Sequence, residues 1–165
     1  MKRNLAFALL FVWAPLLVIA KGPTLKITIK GADLPSPAET TANEILENFK
    51  VWTGAGVEVN GIPQDKGFVA DWVKGPVAEP PASLRRYQVS FDVMHQGPSS
   101  YVIFYAYDSA TGKGYIYLPG KGEEFYKSNT FLILRGVDGH WLAATHTWTG
   151  AANSLIERAR AEGKK

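Results

Sequence analysis

Alternation of apolar and polar residues in the second half of the chain constrains the fold more than any other feature. Residues 87–94 (YQVSFDVM) place aromatic and β-branched side chains on one face and mostly polar side chains on the other. Residues 101–107 (YVIFYAY) and 115–118 (YIYL) follow after short interruptions. Because successive side chains of a strand point to opposite faces, we expect a mostly antiparallel, twisted sheet of about five to seven strands.

The segment between the last two of these stretches looks at first like a phosphate-binding loop, since residues 110–114 read ATGKG. Such a loop needs a glycine five residues before the Gly-Lys pair and a hydroxyl directly after it. Those positions hold Tyr107 and Gly114. The residues that follow have a strand pattern, whereas a phosphate loop leads into a helix. We therefore predict a hairpin turn and no nucleotide site.

Four further strands are expected outside this region. Residues 25–30 (LKITIK) alternate, with Leu25, Ile27 and Ile29 predicted on a buried face. Residues 67–73 are a weaker candidate. Residues 131–137 and 140–148 are predicted to pair as a hairpin, because Asp138-Gly139 suits a two-residue type I′ turn with positive φ at both positions.

Two helices are expected. Ser36 is a suitable N-cap, Pro37 suits the first helical position and Glu39 completes a capping box, so a helix is predicted from there to about Phe49. A second, amphipathic helix is predicted over residues 150–163, where apolar residues recur at helical spacing. Those apolar residues are Ala152, Leu155, Ile156 and Ala159. Together with the sheet, these helices predict an α+β fold in which the first helix packs on the sheet.

Residues 51–81 are rich in glycine and proline and predict an ordered but irregular connection. Trp52 and Trp72 lie within it, and large aromatic side chains are costly to leave in water. We expect these two residues to hold the connection against the core. A hinge or a lid over a site is the alternative.

The first twenty residues have the layout of a secretory signal peptide. A basic start, MKRN, precedes 16 apolar residues that contain Pro15 and end at Ala20. A membrane-spanning helix needs about 20 apolar residues, so we expect cleavage after Ala20 and no stable membrane span afterwards. An uncleaved N-terminal anchor is the alternative. Residues 21–165 then form a single globular domain in a secreted or periplasmic protein.

Composition excludes several classes of function. The chain has no cysteine, which removes disulfides, thiolate metal sites and a cysteine nucleophile. After removal of the leader one net positive charge remains, because 2 of the 18 basic residues lie in the leader and all 15 acidic residues follow it. Basic residues are not clustered, so no nucleic-acid partner is expected. The absence of an Asn-x-Ser/Thr acceptor favours a bacterial origin.

Histidines do not predict a metal site. In the expected hairpin, His140 and His146 lie six residues apart on one strand, or about 20 Å, which is too far for one metal ion. Asp92 and His95 would point to different faces. We therefore expect no metal and no cofactor.

Catalytic motifs are equally weak. The chain contains no G-x-S-x-G, S-x-x-K or H-E-x-x-H pattern. Glu123 and Glu124 are adjacent acids in a charged loop, where acids usually face water, and no second acid is singled out for a glycosidase pair. A Ser-His-Asp set dispersed along the chain remains an open alternative.

Tyrosines are the remaining candidates for a binding site. Tyr101, Tyr105 and Tyr107 fall on one face of their strand, and Tyr115 and Tyr117 alternate on the returning strand. A hairpin loop of about five residues would place both sets on one face, whereas a loop of about four would place them on opposite faces. On a shared face they would form a platform for planar rings, sugar rings or a protein. The alternative is a half-buried layer beneath the Gly/Pro-rich connection.

These observations lead to the hypothesis of a secreted or periplasmic binding module for a small molecule, a glycan or a protein. Its ligand would contact the tyrosine face or the Gly/Pro-rich connection, and Phe104, on the other face, is expected in the core. A hydrolase with a dispersed active site is the alternative, and a pocket with a strongly perturbed histidine or carboxyl would favour it. A structural subunit is the third reading, which an exposed apolar patch would favour.

Overall fold

The computed structural model of the chain describes residues 21–31 and 33–163, and the predicted leader lies outside them. In chain order the strands are β1 (Thr24–Gly31), β2 (Ala38–Thr40), β3 (Glu58–Val59), β4 (Ile62–Pro63), β5 (Pro76–Val77), β6 (Arg86–Met94), β7 (Pro98–Asp108), β8 (Lys113–Tyr117) and β9 (Trp141–Ala143). The helices are α1 (Asn43–Leu46), α2 (Tyr126–Leu132) and α3 (His146–Glu162), with a 3₁₀ turn at Trp72–Lys74. The fold is α+β.

Seven of the described strands form one sheet in the order β2-β1-β6-β7-β8-β9-β5. Every neighbouring pair in this sheet is antiparallel, as the sequence predicts. β3 and β4 form a separate two-stranded hairpin. No helix among the described residues is long and apolar enough to cross a membrane.

One face of the sheet is the core. The predicted stripe of β6 is buried, from Tyr87 to Val93 on alternate positions, and it packs beneath α3. Trp148 at the start of α3 is fully buried, and its ring centroid lies 5.4 Å from that of Phe91. Phe49 contacts Trp148 edge-on, with centroids 5.0 Å apart. Each large apolar side chain buried in this way contributes about 1.5–3 kcal/mol of transfer free energy.

The C-terminal helix is confirmed, but it begins earlier than residue 150. All four predicted apolar positions of α3 are buried against the sheet. Thr145 is the N-cap, and its hydroxyl accepts a hydrogen bond of 3.1 Å from the Trp148 backbone N–H. The predicted strand over 140–148 is therefore wrong beyond Ala143, because this cap starts a helix there.

The helix predicted from Ser36 to Phe49 is not formed over that range. Residues Ala38–Thr40 are the edge strand β2, in which Ala38 pairs with Ile29 of β1. Only the four residues of α1 are helical, and they have no side-chain cap. Ala38 and Thr40 are buried by this pairing, so strand addition to the sheet outweighs the local capping pattern.

The expected hairpin around Asp138-Gly139 is also wrong. α2 takes up residues 131–132 of the first arm, residues 133–137 form no strand, and only Gly139 of the pair has a positive φ, 86°. Asn129 of α2 is fully buried beside the part of β7 that β8 does not reach. Its side-chain amide donates to the Val102 carbonyl at 2.6 Å, and its amide oxygen accepts from the Val102 N–H at 2.8 Å. α2 thus packs sideways against the sheet.

The turn predicted at ATGKG is confirmed. Asp108 pairs with Lys113, which leaves four residues, 109–112, in the loop. The Asp108 carboxylate accepts hydrogen bonds from the Ala110 N–H at 2.9 Å and the Thr111 hydroxyl at 2.7 Å. These bonds hold a turn in which Gly112 has a φ of 69°.

The connection over residues 51–81 is irregular, as expected, but it forms no strand at 67–73 apart from one bridge between Ala70 and Ala144. Trp52 and Trp72 are partly buried against the core. The Trp52 indole N–H donates to the Gly22 carbonyl at 2.6 Å, and the Trp72 indole N–H donates to the Gly67 carbonyl at 2.8 Å. The prediction that both tryptophans hold this segment in place is confirmed.

Leu25 does not join the buried face of β1. The register with β6 shifts between Thr24 and Lys26, so Leu25 is an extra residue at a bulge and is 43% exposed. Ile27 and Ile29 are fully buried, as predicted. A bulge inserts one unpaired residue, which interrupts the simple alternation.

Candidate ligand-binding groove

The sheet face opposite α3 carries a row of side chains that crosses five strands. Lys30, Gln88, Phe104, Tyr117 and Trp141 are successive cross-strand partners on β1, β6, β7, β8 and β9. Because directly opposite residues of paired strands point to the same face, these five side chains lie side by side. The row begins with polar residues and ends with three aromatic residues.

The three aromatic rings of this row form the floor of a groove. The centroids of Phe104 and Tyr117 are 6.4 Å apart, those of Tyr117 and Trp141 are 5.1 Å apart, and each pair is tilted by 40°. Phe104 and Tyr117 are partly exposed, and Trp141 is 8% exposed. The next row on the same face consists of Arg86, Ala106, Tyr115 and Ala143.

Loops from distant parts of the chain form the sides of this groove, which has a volume of about 910 Å³. Glu79 comes from the segment after β5, and Glu123 and Glu124 come from the loop after β8. Lys30 and Gln88 lie at the end formed by β1 and β6. The groove therefore combines an aromatic floor with charged groups of both signs at its rim.

Glu123 is held against Tyr117. The Tyr117 hydroxyl donates to the Glu123 carboxylate, at 2.8 Å from Oε1 and 2.9 Å from Oε2. The Gly120 N–H donates to Oε2 at 2.7 Å. Burial raises the pKa of Tyr117 to about 12, and the hydrogen bond and charge of Glu123 act in the same direction. Tyr117 is therefore a neutral hydrogen-bond donor near pH 7.

Arg86 covers one face of Trp141. Its guanidinium carbon lies 5.0 Å from the indole centroid, within the range of a cation–π interaction. The same guanidinium forms a salt bridge with Glu79, with Nη2 and Oε1 2.8 Å apart. This end of the groove thus joins an aromatic face, a cation and a carboxylate.

The tyrosines singled out in the sequence do not share one face. Tyr101 and Tyr105 are fully buried on the core face, whereas Tyr115 and Tyr117 lie on the open face. Of the two arrangements left open by the sequence, the two sets lie on opposite faces, because the hairpin loop has four residues. Tyr107 shares the core face but is partly exposed.

Two of these tyrosines line other cavities. Tyr107 borders a cavity of about 470 Å³ beside α3, together with Tyr87 and Arg160. Tyr115 borders a cavity of about 1020 Å³ under the Gly/Pro-rich connection. Of the five tyrosines, the groove contains Tyr117. The structure therefore distributes the sequence candidates over separate sites.

Sequence reasoning missed most residues of the groove. Phe104 was expected in the core, and Glu79, Arg86 and Trp141 were not singled out. Phe104 points away from the core because it alternates with the buried Tyr105. If a hairpin loop of four residues is assumed, the alternation of the two strands places Phe104 beside Tyr117.

The histidines lie apart. His95 packs between Trp52 and Phe131, with ring centroids 5.1 Å and 5.9 Å away, and His140 and His146 are exposed. In the part of the chain that the structure describes, no three histidine or acidic residues are grouped so that they could hold a metal ion. None of the histidines lines the groove.

Comparison with known proteins gives no match to any family model, curated protein or solved structure.

Proposed function

We propose that this protein is a secreted or periplasmic binding module and that its ligand occupies the groove above Phe104, Tyr117 and Trp141. The ligand carries a planar or sugar ring that lies on the exposed parts of Phe104 and Tyr117. Polar groups of the ligand meet Gln88, Glu123 and the other residues of the rim. The location outside the cytoplasm rests on the leader-like sequence of residues 1–20.

The observation that carries this proposal is the aromatic row at the bottom of a concave face. Ligand sites are typically concave, largely apolar and bordered by a few polar groups that orient the ligand. A sheet face that simply meets water has polar residues in alternation, whereas this face carries three aromatic rings in one row. Stacking on such rings contributes about 0.5–1.5 kcal/mol per ring beyond the buried area.

The proposal can be tested by titrating the full chain with a panel of neutral oligosaccharides and ring-containing small molecules, using NMR and calorimetry. For a ligand found in this way, Phe104→Ala and Tyr117→Ala should each weaken binding about tenfold, which corresponds to about 1.4 kcal/mol. Phe131→Ala is the matched control, because Phe131 is 62% exposed and lies outside the groove. Unchanged affinity in both groove variants would contradict the proposal.

A hydrolase is the second candidate, and one observation favours it. Carboxylates from two separate loops, Glu79 on one and Glu123 with Glu124 on the other, line the same groove. Glycoside hydrolysis uses two acids that flank the bond to be cleaved. Incubation with chromogenic glycosides distinguishes the two functions: turnover that is lost in both Glu79→Gln and Glu123→Gln supports the hydrolase, and binding without turnover supports the module.

A further inference from the structure

We infer that the groove selects ligands bearing an organic cation, a guanidinium or an alkylammonium group, which lies on the ring face of Tyr117 beside the carboxylate of Glu123. This inference rests on the proposed binding function and adds the chemical class of the ligand. The inference follows from one observation: a cationic side chain of the protein occupies one end of the groove.

That internal cation is Arg86. Its guanidinium lies 5.0 Å from the Trp141 ring centroid and forms a 2.8 Å salt bridge with Glu79. An aromatic face together with a carboxylate is the combination that attracts an organic cation, since the ring presents its negative face and the acid supplies charge and hydrogen-bond acceptors. One end of the groove therefore already holds a guanidinium in a suitable environment.

The same two kinds of group recur one strand away, next to Tyr117. Its ring is partly exposed, and Glu123 lies at its hydroxyl. Within the described residues, no basic side chain lies over the ring of Phe104 or Tyr117. Glu123 likewise forms no salt bridge to any described residue. The second place has the groups of the first but lacks its cation.

The charges around the groove favour a positive ligand at this second place. Glu79 is paired with Arg86, which leaves Glu123 and Glu124 to act on the space above Tyr117. Lys30 lines the groove too, but it lies three strands from Tyr117, or roughly 14 Å at the spacing of strands. That distance exceeds the screening length of about 8 Å at physiological ionic strength. Glu123, the charged residue in contact with Tyr117, therefore has no basic partner among the residues that line the groove.

Glu123 also has room for a further hydrogen bond. A carboxylate offers about four lone-pair sites, and here Tyr117 and the Gly120 N–H use three bonds to its two oxygens. Because those two donors fix the carboxylate, a ligand does not have to order it on binding. A guanidinium could donate to Glu123 while its plane, or the methyl groups of an alkylammonium, rests on Tyr117.

The experiment compares cations with neutral molecules of the same shape, titrated into the full chain and followed by NMR and calorimetry. Choline is paired with 3,3-dimethylbutanol, in which carbon replaces the charged nitrogen. An N-acetylated, C-amidated Gly-Arg-Gly peptide is paired with the peptide that has citrulline in place of arginine. The first pair represents a small-molecule source of the cation, and the second represents a protein source.

We expect the cationic member of at least one pair to bind at least about tenfold more tightly than its neutral partner, with an advantage that falls as salt is added. Glu123→Gln should remove this difference in affinity. Glu124→Gln should reduce it, and this second variant provides the test if Glu123→Gln does not fold. Glu44→Gln is the control, because this exposed acid lies on α1, outside the groove.

The two proposals fail in different ways. Equal binding of a cation and its neutral partner at the groove would overturn the inference and leave the binding function in place. If neither pair of compounds and no member of the neutral ring panel binds, the binding function and the cation inference are both overturned. Preference for a cation that persists unchanged in Glu123→Gln and Glu124→Gln would also overturn the inference, since the attraction would then come from elsewhere.

Discussion

Arg135 donates a hydrogen bond from Nε to the hydroxyl of Tyr101, 3.0 Å away, inside the protein. Arg135 is 3% exposed, and its other nitrogens donate to the carbonyl groups of Val51, Thr53 and Ala55 at 2.7–2.9 Å. The irregular connection is thereby attached to the end of α2 and to β7. Burial lowers the pKa of Arg135 from its usual value, although Tyr101 and Asp138 act in the opposite direction.

Replacement of this arginine should therefore destabilise the protein strongly. In Arg135→Met the buried carbonyl of Val51 and the partly buried carbonyls of Thr53 and Ala55 lose their donor. Hydrogen bonds to a charged group contribute about 1.5–3 kcal/mol each, so we expect a loss of at least about 3 kcal/mol. Arg135→Lys keeps the charge but cannot reach all these acceptors, and it should also be destabilised. Urea unfolding measures both. Arg85→Met is the control, because the side chain of Arg85 is 66% exposed; equal losses at the two positions would contradict the role assigned to Arg135.

Truncation should destabilise the protein much more at Tyr105 than at Phe104. Tyr105 is fully buried, its ring centroid lies 6.1 Å from that of Trp148, and its hydroxyl donates to Asn153 at 3.0 Å. Tyr105→Ala should cost about 3–5 kcal/mol, as is usual for a large aromatic residue in a core. Phe104→Ala should cost less than about 2 kcal/mol, since its ring is only partly removed from water. Thermal and urea unfolding of the two variants give this comparison, and a larger loss for Phe104→Ala would mean that the faces of β7 are assigned wrongly.

Ionisation of Tyr117 should lower the free energy of unfolding at alkaline pH. Its pKa is raised to about 12, above the usual 10.0, so the unfolded chain releases this proton first. The resulting contribution to stability is fully present below pH 10 and is lost as the pH rises from 10 to about 12. Absorbance titration near 295 nm, taken as the difference between the wild type and Tyr117→Phe, measures the pKa. In Glu123→Gln it should move back towards 10.0, and an unchanged value would exclude Glu123 as a cause.

Processing of the leader should leave an N-terminus at or within a few residues of Lys21. The basic start and the apolar run of residues 5–20 motivate this expectation. Intact-mass measurement of the exported protein from its native host provides the test. Retention of Met1 would place the chain among N-terminally anchored proteins.

The sequence predicts correctly those strands and helices that bury only one face. The stripe of β6 and the apolar positions of α3 each face a single core, so their periodicity is visible in the sequence. β7 is different, because Val102 and Ala106 on its open face are buried as well as Tyr101 and Tyr105 on its core face. A strand that is apolar on both faces does not show which face meets the core, and the loop length decides it.

The groove was harder to foresee for a related reason. Its walls come from segments far apart in the chain: Glu79 follows β5, Glu123 follows β8 and Trp141 begins β9. These segments meet because β9 lies between β8 and β5 in the sheet. Likewise, the capping pattern at Ser36 is a valid local preference that pairing of β2 with β1 overrides.

Asn129 also occupies part of an edge of β7 that β8 does not reach. By bonding both polar groups of Val102, its side chain takes the place of a neighbouring strand at this one residue of β7. An exposed strand edge is a template on which another chain can add a strand, and the apolar composition of β7 makes such addition favourable. One amide side chain therefore takes the place of a neighbouring strand at Val102, and Asn129→Ala would leave the N–H and C=O groups of this buried residue without these partners.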